Sequence, residues 1–102
     1  MVHEIEVHRG ALEDLCRRFR VRRLELFGSA VGEKFDRGSS DLDFIVEFDD
    51  LHEGEYADMY FGLAEALRDL FQREVDLVVL TAVKNPYFRE SIERSRKLLY
   101  AA

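Results

Sequence analysis

A single cysteine stands in the chain, Cys16, so no internal disulfide can form. It falls on the apolar side of a predicted helix, where a buried, inert thiol is expected. No apolar run approaches the roughly 18 residues that a bilayer-spanning helix needs. The opening "MVHEIEVHRG" lacks the basic-then-apolar order of a secretory leader, so a cytoplasmic protein is expected. Repeats, low-complexity segments and internal linkers are absent as well. Basic residues are outnumbered: 15 Lys and Arg stand against 21 Asp and Glu, a formal charge of −6. A general nucleic-acid coat would be basic. No stable direct contact with nucleic acid is therefore expected; the charge suits a basic partner or a site that collects cations. His3, His8 and His52 show no metal-ligand spacing and receive no role.

What is present is enough for one domain spanning residues 1–102, with a core of a few strands and helices. At 47% hydrophobic and 35% charged, the composition is that of a globular protein. Leu12, Leu15, Cys16 and Phe19 recur at helical spacing and predict a helix near 9–19. "RRLELF" at 22–27 alternates and stops at Gly28, as a strand would. A short helix is expected from Ser29, a favourable N-cap, and a polar loop over 34–40. The apolar run 41–48 reads as a second strand and "EVDLVVL" at 74–80 as a third, apolar on both faces. Between them a long helix is predicted over about 55–72, with Tyr56 and Tyr60 in its core stripe. Asn85-Pro86 opens a last helix to Ser95, and "KLLYA" forms a short edge strand. The fold class is α/β, a small mixed sheet packed with helices.

Three acids break this pattern. Asp41 and Asp43 interrupt the start of the second strand and, two residues apart, point the same way. Asp76 interrupts the third strand in the same manner. If the two strands are neighbours, the three carboxylates converge with no basic residue beside them. Buried acids are costly unless paired or bound to metal. An all-oxygen ligand set favours Mg²⁺ or Mn²⁺, and a pair of such ions forms the clamp used for attack at phosphorus. Gly28 and Ser29 supply a tight turn, a hydroxyl and free backbone N–H groups, a cradle for phosphate. Lys34 and Arg37, in the loop between, could reach the same phosphates. "RRFRVRR" at 17–23 reads first as solvated surface and second as a contact for triphosphate or for an acidic partner. Each feature alone is an ordinary turn or strand-end residue; together, in this order, they describe a nucleoside triphosphate site.

"LFGSAVGEKFDRGSSDLDFIVEF" followed by "VDLVVL" resembles the nucleotidyltransferase superfamily that includes DNA polymerase beta. More closely, the chain is similar to the minimal nucleotidyltransferases that act as MntA-type antitoxins of HEPN ribonuclease toxins. The likeness runs through "NPYFRESIERSRKLLY" and covers nearly the whole chain. The loop between Ser29 and Asp41 is one residue longer than the family pattern, an insertion that "DRGSS" absorbs as a bulge. The resemblance implies a polymerase beta-like fold and ATP as substrate. It implies that Gly28 and Ser29 hold the triphosphate and that Asp41, Asp43 and Asp76 bind two Mg²⁺ ions. It further implies AMP transfer to a tyrosine of a HEPN-type toxin. Two other readings stand beside it: an antitoxin that acts by occlusion alone, and a transferase for small molecules of the aminoglycoside kind.

Overall fold

The computed structural model describes residues 3–28, 42–79 and 84–102. Among them the elements run α1 (His3–Val7), α2 (Arg9–Arg18), β1 (Val21–Phe27), β2 (Leu42–Phe48), α3 (Glu55–Phe71), β3 (Val75–Val79), α4 (Pro86–Ser95) and β4 (Lys97–Ala101). Each predicted helix and strand inside these segments is present. The short helix expected from Ser29 and the loop over 34–40 lie outside the described residues. Helix α1 has no counterpart in the sequence reading: five residues are too few for a periodic stripe to register, yet its Ile5 is fully buried.

The four strands form one sheet in the order β3-β2-β1-β4. β1 pairs antiparallel with both β2 and β4, whereas β2 and β3 are parallel. The sheet is therefore mixed, "KLLYA" is an edge strand, and the second and third strands are neighbours as expected. α3 is the crossover that a parallel pair requires.

Alternation in the strands sorts the side chains onto two faces. Leu24, Leu26, Leu42, Phe44, Val46, Val75 and Leu77 face α2 and α3, where Leu12, Cys16, Leu63, Leu67 and Phe71 complete the main core. Each fully buried aliphatic side chain contributes about 1.5–3 kcal/mol, so this face supplies most of the apolar stabilisation. On the other face Phe27 and Ile45 pack against Ile92 of α4, with Val78 beside them. α4 begins where Asn85 and Pro86 announced it: the Asn85 side chain accepts from the backbone N–H of Tyr87 at 2.9 Å and of Phe88 at 3.3 Å.

Edge strand β3 is protected by α3. The Tyr60 hydroxyl donates to the Leu77 carbonyl, and the Arg68 guanidinium donates to the Val75 carbonyl at 3.4 Å. Side chains thus occupy the outward carbonyls that a foreign strand would need.

Candidate active site

β1 ends, β2 begins and β3 begins at one end of the sheet, and the register lines up Phe27 with Asp43 and Asp43 with Asp76. Neighbouring strands lie about 4.8 Å apart, so the two carboxylates stand side by side on the face that also carries Phe27, Ile45 and Val78. Asp43 is half-buried and Asp76 exposed. Like charges directly opposite one another are unfavourable, and a bound cation would remove that repulsion. The predicted meeting of Asp43 with Asp76 is therefore present. Asp41, the third expected acid, lies outside the described residues, and among those described no larger cluster of metal-ligating side chains occurs.

Gly28 follows β1 directly, at φ +76°. A Cβ there would sit 2.7 Å from Asp43 Oδ2. Both the backbone conformation and the space demand glycine, and its absent side chain is what lets the chain pass so close to the carboxylate. The Gly28 N–H donates to Ser95 Oγ at 3.1 Å, and that hydroxyl donates in turn to the Ser91 carbonyl at 3.2 Å. The sequence reading missed Ser95. It lies 67 residues from Gly28, and a serine near a helix end carries no signal of such a contact. Ser29, Lys34 and Arg37, the other expected nucleotide contacts, lie outside the described residues.

A cavity of about 360 Å³ opens beside Asp43 and Asp76. α3 lines it with Tyr60, Phe61 and Arg68, and α4 with Phe88. Two expectations need correction here. A basic residue does stand near the acids, Arg68, brought in by the crossover helix. Tyr60 is not simply core: it packs on the core's margin and lines this cavity, while Tyr56 is 44% exposed and its ring meets Phe48. Helical spacing identifies a stripe but not which margin of it opens onto a site.

The arginines of 17–23 stand at the other end of the sheet, where Val21 pairs with Phe48. Six residue steps, about 20 Å, separate Val21 from Phe27. There Arg17 pairs with Asp14, Arg20 with Glu55, and Arg22 with Glu47 and Asp49, all in solvent. These exposed ion pairs are what the solvated-surface reading expects of the three. Arg23 instead reaches a buried acid that the sequence reading passed over, Glu25, which also takes both arms of Arg96. The Arg96 hydrogen bonds, with the one from Arg23, hold the Glu25 carboxyl below its usual range despite burial.

The nucleotidyltransferase domain model matches residues 8–99. The chain belongs to the nucleotidyltransferase domain family. A Methanocaldococcus jannaschii chain named "putative protein adenylyltransferase" is 36% identical over 87 residues, which is 84% of this nucleotidyltransferase and 81% of the relative. A second chain of the same name and organism is 39% identical over 80 residues, 78% of this chain and 76% of that one. Among solved structures, one named "putative minimal nucleotidyltransferase" superposes with a TM-score of 0.63 at 29% identity, covering 91% of this chain and 90% of its own. A chain of the complex between tri-AMPylated Shewanella oneidensis HEPN toxin and MNT antitoxin gives 0.64 at 20% identity, covering 95% and 72%. A toxin–antitoxin structure with AMP-PNP gives 0.65 at 22%, covering 99% and 75%. The last two likenesses concern the fold alone. The fold is that of the polymerase beta-like minimal nucleotidyltransferases, and the enzyme is a nucleotidyltransferase. No helix among the described residues is long and apolar enough to cross a membrane.

Proposed function

We propose that this nucleotidyltransferase transfers AMP from ATP to a tyrosine of a HEPN-type ribonuclease toxin and thereby acts as its antitoxin. The observation that carries the reading is the in-register pair Asp43 and Asp76, with Gly28 at positive φ packed against the first of them. Two carboxylates on adjacent strands, one of them solvent-exposed, are a hard all-oxygen donor set that fits Mg²⁺ or Mn²⁺. Asp43 and Asp76 would hold the metal, with Asp41 as the expected third ligand. When bound, the ions would neutralise charge developing on the transferring phosphorus. The names of the jannaschii relatives, and the toxin–antitoxin structures that share the fold, support a protein as acceptor.

In the reaction the acceptor oxygen forms a bond to the α-phosphorus. The bond from that phosphorus to the α–β bridging oxygen breaks, and pyrophosphate leaves. Gly28, whose own N–H is donated to Ser95 Oγ, would let the chain pass close to the departing phosphates, and Ser29 would hold them, with Lys34 and Arg37 as further phosphate contacts. Asp43 would orient the α-phosphate. The hydroxyl proton passes to Asp76, whose exposure lets it pass the proton on to water.

Intact-mass spectrometry of the toxin after incubation with ATP and Mg²⁺ tests the reading. Wild type is expected to add one or more AMP masses, and Asp76→Asn to lower the rate at least about a hundredfold. Asp43→Asn should do the same. Neutralisation of the toxin with no mass change would favour occlusion, and modification of an aminoglycoside instead would overturn the assignment of a protein acceptor.

A further inference from the structure

We propose that the cavity between α3, α4 and the outer margin of β3 is the acceptor subsite, and that it receives the ring of a tyrosine carried by the protein to be modified. This rests on the reading of the chain as a protein adenylyltransferase. Across the sheet stand Gly28 at the end of β1, Asp43 on β2 and Asp76 on β3, and beyond them lies the sheet edge. Pyrophosphate departs on the Gly28 side. Displacement at phosphorus is in line, so the attacking oxygen must stand on the opposite side of the α-phosphorus. That side is β3, and beyond Asp76 the cavity of about 360 Å³ opens.

Its walls suit an aromatic guest. Phe61 of α3 is 67% exposed and Phe88 of α4 45% exposed, so both rings stand in water at the rim of a reactive site. Phe61 meets the Tyr60 ring edge-on at 5.2 Å, and Phe88 meets Phe27 edge-on at 6.2 Å, which leaves other ring faces of each pair open to a further aromatic partner. The volume lies at the low end for ligand cavities, right for one side chain and small for a second nucleotide. A partner strand is disfavoured, because the β3 carbonyls of Val75 and Leu77 are already taken by Arg68 and Tyr60. A second hollow of about 380 Å³, lined by Tyr56, Ala57, Tyr60, Phe61 and Val79, shares Tyr60 and Phe61 with the first. It continues the apolar surface along α3 and receives the residues flanking the acceptor tyrosine. In the transfer the phenol oxygen bonds to the α-phosphorus, its proton goes to Asp76, and the electrons of the broken P–O bond leave with pyrophosphate.

The test compares wild type, Phe61→Ala and Phe61→Tyr with the HEPN toxin as acceptor, reading the acceptor KM, kcat and, by calorimetry with Mg²⁺, the Kd of AMP-PNP. Phe61 is exposed enough for its loss to spare the fold. Phe61→Ala is expected to raise the acceptor KM about tenfold, with kcat and the AMP-PNP Kd within about twofold. Phe61→Tyr should restore the acceptor KM. An unchanged acceptor KM overturns the inference. A weaker AMP-PNP Kd with the acceptor KM intact also overturns it, and assigns the ring to the nucleobase. If wild type itself adds no AMP to the toxin, the proposed function fails first, and the wild-type control shows that directly.

Discussion

At the scale of single residues, the candidate site was legible where a residue offends its surroundings. Asp43 and Asp76 announce themselves as carboxylates inside apolar strands, where burial would be costly without a use; the structure leaves Asp43 half-buried and Asp76 exposed at the edge strand. Cys16 was legible for the opposite reason, as one more member of an apolar stripe; burial pushes its thiol up to about 12. Glu25 was not legible. It sits in "RRLELF", where alternation with charged neighbours hides the fact that it is 3% exposed. Gly28 carries the sharpest test at this scale. Gly28→Ala must hold an alanine at φ +76°, which costs about 1–2 kcal/mol. Its methyl would also approach Asp43 Oδ2 to 2.7 Å and push the carboxylate aside. A modest drop in melting temperature is expected together with a loss of transfer of at least about tenfold, larger than the stability change explains. Transfer at the wild-type rate would mean that the closeness of Gly28 to Asp43 has no catalytic use.

At the scale of elements, local signals located the described helices and strands within a residue or two, α1 excepted. Asn85-Pro86 is the clearest case, because capping and the fixed φ of proline both act within one turn. What such signals could not tell is what the other end of α4 does. Its final turn presents Ser95 Oγ to the Gly28 N–H, so the helix braces the turn at the end of β1. Ser95→Ala leaves that donor without its partner and is expected to cost about 1 kcal/mol of stability. A bracing role makes a further demand: the KM for ATP should rise several-fold while kcat changes little, and Ser95→Thr, which keeps the hydroxyl, should restore both. Steady-state kinetics on the two variants, with melting curves, decides it. An unaltered KM for ATP would reduce Ser95 to a structural contact.

For the whole molecule, Glu25 of β1 ties distant parts together, since its partner Arg96 follows α4 at the start of β4, while Arg23 adds a local contact on the same strand. Its carboxyl is held below the ordinary glutamate value of 4.5, chiefly by Arg96. A depressed folded-state pKa contributes stability that is present above the ordinary value and lost as pH falls through the folded one. The melting temperature is therefore expected to be flat from pH 7 to about 5 and to fall more steeply below about 4.5. Glu25→Gln should flatten that acid limb and lower stability at pH 7 by about 1–3 kcal/mol, less than for a fully buried pair because Arg96 keeps 29% of its side chain exposed. The Asp49 and Glu55 carboxyls are also lowered, the first by the Arg22 hydrogen bond and the second by the His52 backbone N–H, but both are solvent-exposed and screened, so the limb in Glu25→Gln is the decisive measurement. Among the described residues, the sequence by itself determined the strands, the helices after α1, and Asp43 and Asp76 as anomalies in apolar runs, because periodicity, capping and the contrast of a charge with its neighbours all act within a few residues. Only the tertiary structure decided that Asp43 stands opposite Asp76, that Ser95 lies under Gly28, that Glu25 meets Arg96, and that α3 closes a cavity with Tyr60, Phe61 and Arg68. These are consequences of strand order and register, which depend on contacts between residues tens of positions apart and leave no trace in local pattern.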